Sequence, residues 1–83
     1  MKTGHLDAKT RELIALAVAV TRQCDGCIVV HTEAAVTHGA TREEVAEALG
    51  VAIAVNAAGS TLMFSGRAMD AYAALTEQTP ATE

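Results

Sequence analysis

At 83 residues the chain has room for one domain with a small private core, because a domain of this size buries only about 60% of its unfolded surface. A formal net charge of −4, with six Lys and Arg, argues against the clustered basic face of a nucleic-acid binder, and aromatic residues limited to Phe64 and Tyr72 remove base-stacking platforms. The hydrophobic fraction of 51%, mostly Ala and small aliphatics, suits closely packed helices and points to self-association.

In chain order, Asp7 is placed to cap a first helix that continues through Glu12, Leu13, Leu16, Ala17 and Val20 to about Arg22. From Leu13 to Val20 every residue is apolar, so this helix is expected to be buried on several sides, one of them against a neighbouring subunit. A second helix is predicted from Cys24 or Asp25 to His38, ended by Gly39 in the left-handed conformation. Thr41 followed by Glu44 is a capping-box pattern opening a third helix, whose apolar stripe is Val45, Leu49, Ala52 and Ile53. Asn56-Ala57-Ala58-Gly59-Ser60 marks a break before a last helix carrying Leu62, Met63, Ala68, Met69, Tyr72 and Leu75, which frays toward Pro80. Met63 and Met69 read as core fillers.

No stretch has the alternation of a paired strand, so the predicted fold is all-α, a compact bundle of about four helices forming one domain over residues 1–83, with its core at about 6–77. The longest apolar tract, Ala46 to Phe64, is interrupted by Glu47, Gly50, Asn56 and Gly59 and does not read as a membrane span. The polar opening from Met1 to Lys9 does not read as a signal peptide. Two cysteines three residues apart close too small a loop to staple a secreted domain, so a reducing, cytoplasmic setting is expected.

The chemistry concentrates in Cys24-Asp25-Gly26-Cys27-Ile28-Val29-Val30-His31. In a helix Cys24, Cys27 and His31 would lie along one stripe. Side chains three apart on a regular helix stand slightly farther apart than a disulfide prefers, so the pair closes most easily in the first turn. There the exposed amides and the helix dipole favour thiolate over thiol. Gly26 gives another molecule close access to the sulfurs. Glu12 is the only acid of the first helix beyond its opening turn, and its neighbours Ala8, Ala15, Leu16 and Ala19 make a partly desolvated carboxylate that can carry a proton. Its alternative reading is an exposed glutamate near Lys9 and Arg11.

The same residues could bind zinc through Cys24, Cys27 and His31 with Glu12 as fourth ligand. In a regular helix, however, Cys24 and His31 would be separated by about 10.5 Å of rise, too far for one ion, so no metal or cofactor is expected unless Cys24 folds back in a loop. A thioredoxin-type domain would need strands that this chain lacks. His5 falls in the N-terminal segment, and His38 reads as a helix C-terminal residue beside Gly39.

Glu12, Cys24-x-x-Cys27 and His31 at these spacings resemble the core motif of the alkylhydroperoxidase D-like proteins of the carboxymuconolactone decarboxylase-like superfamily. The flanking Lys9-Thr10-Arg11-Glu12-Leu13-Ile14 and Gly39-Ala40-Thr41-Arg42-Glu43-Glu44-Val45 fit as well, and the similarity runs from about Leu6 to Leu75. The resemblance implies an oligomer, commonly a trimer or hexamer, that reduces hydroperoxides or acts as a disulfide reductase. By position it implies that Cys27 is the peroxidatic cysteine, that Cys24 resolves it as a disulfide, and that Glu12 and His31 relay protons. An external dithiol, lipoyl-bearing or thioredoxin-like, would reduce the disulfide. The better-known peroxidases carry a second histidine where this chain has Gly26, and longer relatives have an additional N-terminal portion. Both departures keep thiol–disulfide exchange open as the main activity. A non-catalytic zinc-binding or assembly module is the alternative from another class.

Overall fold

A computed structural model describes residues 4–56 and 59–76. It contains α1 (Ala8–Thr21), α2 (Asp25–Thr37), α3 (Arg42–Asn56) and α4 (Gly59–Thr76), and no strand among the described residues. α1 packs against α2 and α3, and α4 closes the ring by packing against the same two helices. The all-α reading therefore holds. The junction at Ala57-Ala58 and the tail at Pro80 lie outside the described residues.

Local chemistry explains the boundaries. The Asp7 carboxylate accepts from the Thr10 amide at 2.8 Å, which satisfies one free donor of α1 and holds its carboxyl below the usual range. The capping box at α3 is reciprocal: the Glu44 amide donates to Thr41 Oγ1 at 3.1 Å and the Thr41 amide to Glu44 Oε1 at 2.9 Å. Glu44 also takes the Lys9 ammonium at 2.8 Å, tying α3 to the start of α1. That contact lowers the Glu44 pKa and raises that of Lys9.

α1 and α2 end in the same way. After α2, the Gly39 amide reaches Val36 O and the Ala40 amide reaches Ala35 O, with Gly39 at φ +88°. After α1, the Gln23 amide reaches Val20 O and the Cys24 amide reaches Ala19 O, with Gln23 at φ +59°. Both are Schellman ends. The end of α1 places a glutamine in a backbone region that favours glycine, which costs of order 1 kcal/mol or more, and the sequence carries no glycine to announce it.

The core joins Leu16, Ala19 and Val20 of α1, Ile28 and Ala35 of α2, Val45, Leu49 and Ala52 of α3, and Ala68 of α4, with Ala40 between α2 and α3. Ile53, expected on the α3 stripe, is half-buried. The stripe expected on α4 needs correction. Its buried residues are Thr61, Ser65 and Ala68, whereas Leu62 and Met63 are 61% and 56% exposed in the single chain, so Met63 is not a core filler. The small residues at 61, 65 and 68 let α4 approach its neighbours closely, and Leu62 and Met63 fall off that face. Met69 and Tyr72 do pack against the core.

The apolar segment of α1 also keeps an open side. Ile14 and Val18 are 50% and 51% exposed, next to Val51 and Val55 of α3, around an open cavity of about 290 Å³. Among the described residues, no helix is long and apolar enough to cross a membrane.

Candidate active site

The Schellman end of α1 delivers the chain straight into the dithiol. Cys24 is the residue after the left-handed Gln23 and is also the N-cap of α2, with extended backbone at φ −105° and ψ 100°. It therefore lies outside the helix, and the single stripe from Cys24 to His31 expected from sequence begins instead at Cys27. Cys24 and Cys27 form a disulfide with Cα atoms 5.3 Å apart, within the usual range. The Cys27 amide donates to Cys24 Sγ at 3.2 Å. Cys24 sulfur thus occupies the place where a cap side chain meets the positive end of the α2 dipole.

His31 stands one turn beyond Cys27 on α2. Its Nδ1 lies 2.8 Å from Glu12 Oε1 on α1, and the two side chains are 34% and 27% exposed. With the carboxylate ionised, Nδ1 must carry the proton, which leaves Nε2 as a base. Lys9 is engaged with Glu44, so the glutamate's partner here is the histidine. The four residues selected from sequence, Glu12, Cys24, Cys27 and His31, are brought together at the junction of α1 and α2.

An open cavity of about 250 Å³ adjoins the sulfurs, lined by Ala15, Val18, Ala19 and Arg22 of the first helix and its cap, with Cys24, Cys27 and His31. Cys27 is the more exposed cysteine. A side chain built at Gly26 would meet no protein atom within 4 Å, so the glycine leaves the approach open rather than serving a backbone need. Among the described residues, no three His, Cys, Asp or Glu side chains converge to hold a metal ion.

Two features of the site were not read from sequence. Arg67 Nη1 of α4 binds both carboxylate oxygens of Asp25, at 2.6 and 2.7 Å, while its guanidinium lies 4.4 Å from the Phe64 ring centroid. This pins the residue after Cys24 from across the bundle and compensates a negative charge beside the sulfurs. The partners are 42 positions apart, so no local pattern links them. The second feature is Arg22, which the sequence marked only as the end of α1.

A helical bundle with a disulfide-forming pair at a helix start, backed by a histidine and a glutamate, defines a class of thiol-bearing α-proteins. The chain belongs to the carboxymuconolactone decarboxylase family, whose model matches residues 1–77, as the resemblance read from the sequence implied. It is similar to a crystal structure of a family member from Legionella pneumophila in its apo form, at 45% identity and a TM-score of 0.85, covering 90% of this chain and 66% of that one. Uncharacterised proteins of Cupriavidus necator and Haemophilus influenzae are 42% and 60% identical, covering 87% and 81% of this chain. The chain spans 63% and 58% of the length of those two relatives.

Proposed function

We propose that the protein is a thiol-dependent hydroperoxide reductase acting through Cys27 and Cys24. The observation that carries this reading is the 2.8 Å contact between His31 and Glu12 beside a helix-capping dithiol. In the reduced protein, His31 Nε2 takes the Cys27 thiol proton, and the thiolate attacks the terminal peroxide oxygen. The O–O bond breaks, Cys27 becomes a sulfenic acid, and the proton returns to the departing alkoxide as alcohol. Cys24 thiol then attacks the sulfenic sulfur, which forms the disulfide and releases water.

An external dithiol, lipoyl-bearing or thioredoxin-like, restores the pair by thiol–disulfide exchange, supplying two electrons and two protons. Exposed Cys27 is the sulfur open to attack. Cys24 then leaves as a thiolate that the Cys27 amide and the α2 N-terminus stabilise. No cofactor enters the cycle, and a reducing cytoplasm suits it. Disulfide reduction by the same pair is the second reading, favoured by the open approach at Gly26.

The test is the pH dependence of Cys27 alkylation, followed by peptide mass spectrometry. Glu12→Gln is expected to slow alkylation near neutral pH by at least about tenfold, less than the roughly hundredfold or more that a positioned base supplies, because His31 itself remains. A rate and profile equal to wild type would remove the relay. The functional unit in this reading is a homo-oligomer, a trimer or hexamer, in which the open apolar face of Ile14, Val51 and Val55 meets other subunits. Sedimentation above monomer mass is expected at micromolar concentration, and a folded monomer there would contradict it.

A further inference from the structure

One cation beside the dithiol has no carboxylate bound to it among the described residues. Asp25 is held by Arg67 and Glu12 by His31, so the carboxylate between the cysteines and the one joined to the histidine of the site already have partners. Arg22 has none: among the described residues its guanidinium makes no ion pair or hydrogen bond. Yet it lines the same cavity as Cys24, Cys27 and His31. With both acids engaged by other side chains, this guanidinium is open to an anion from solution, in a protein of net charge −4.

The position of that cation is built into the fold. Arg22 is the C-cap of α1, its amide bonded to Val18 O at 2.9 Å, and the left-handed Gln23 turns the chain so that Cys24 follows at once. Ala15, Val18, Ala19 and Arg22 recur at helical spacing on one face of α1 and its cap. They make a strip about 10.5 Å long by helical rise, apolar and mostly small-sided until it ends in the guanidinium. Such a wall suits an apolar body with one anionic end. A planar guanidinium pairs a carboxylate through two parallel hydrogen bonds, and one positive charge balances a carboxylate where a dianion would remain half compensated.

We propose that Arg22 is the specificity residue of the dithiol cavity and that the preferred oxidant is an alkyl hydroperoxide bearing a carboxylate, its chain along α1 and its acid on Arg22. This rests on the reading of the site as a hydroperoxide reductase. The O–O cleavage is the step given above, with the carboxylate taking no part in it.

The experiment uses the hydroperoxide of a medium-chain carboxylic acid and its methyl ester, two oxidants with the same apolar body and the same peroxide. The ratio of kcat/KM, acid over ester, is measured for the full chain with a dithiol reductant. In wild type the ratio is expected to be about fivefold, the upper scale of one exposed, charge-assisted pair. It should shrink toward one as ionic strength approaches 1 M, where the screening length falls to about 3 Å. Arg22→Gln is expected to bring the ratio near one at low salt, and Arg22→Lys to restore it in part. A wild-type ratio near one overturns the proposal without need of any variant, as does a ratio that Arg22→Gln leaves unchanged. In both cases turnover of the ester shows that the underlying activity stands. Failure of both oxidants to convert Cys24 and Cys27 to the disulfide overturns the proposal together with the function it rests on.

Discussion

Replacing Cys27 by serine is expected to lower hydroperoxide turnover by at least about a thousandfold, the scale of losing a nucleophile whose thiolate has no substitute among neighbouring groups. A serine hydroxyl is not ionised near neutral pH, and the His31 base has far too little driving force to make it so. The substitution should spare the fold. Cys27 is exposed, its amide remains to cap against residue 24, and a disulfide spanning so few residues restrains the unfolded chain little. Cys24→Ser should separate the steps: one equivalent of hydroperoxide is consumed, the sulfenic acid at Cys27 is trapped by a carbon nucleophile, and turnover stops without a disulfide. Peroxide consumption with mass analysis of the Cys27 peptide reads both variants. Unimpaired turnover by Cys27→Ser would remove the dithiol from the chemistry.

How far the sequence carried depended on the range of each interaction. Asp7, the Thr41 and Glu44 pair and Gly39 act within four residues of the helix ends they define, so their signals are local and readable. The pairing of Glu12 with His31, 19 positions apart, follows from the family resemblance and from no local pattern. Gln23 escaped because a left-handed glutamine has no compositional signature. What holds it is the paired amides that turn α1 into α2. On α4 hydropathy weights Leu62 and Met63, while packing selects the smaller Thr61, Ser65 and Ala68 for close approach. Among the described residues, Thr32 Oγ1 of α2 and Ser65 Oγ of α4 are buried without a hydrogen-bond partner, a feature no hydropathy pattern anticipates. The Asp25 and Arg67 contact joins α2 to α4, and Arg22 acquires meaning only once the cavity exists.

Leu16→Ala is expected to destabilise the fold by about 2–5 kcal/mol, the range for emptying a core leucine site. Leu16 is fully buried at the heart of the cluster that joins all four helices. Against a total stability of roughly 0.05–0.15 kcal/mol per residue, that loss takes a large share of what 83 residues provide. The consequence reaches the chemistry because Leu16 is one helical turn from Glu12 and sits between Ala15 and Ala19 of the cavity wall. A loosened α1 carries the carboxylate away from His31, so activity should fall before the helices melt. Denaturant unfolding followed by far-ultraviolet circular dichroism measures the first effect, and Cys27 alkylation at low denaturant measures the second. Ile14→Ala serves as the contrast, since Ile14 is half exposed on the opposite side of the core. Its truncation should weaken association of subunits and make the midpoint of unfolding more dependent on protein concentration. Equal losses from Leu16→Ala and Ile14→Ala, both independent of concentration, would mean that α1 is buried within one chain on both sides.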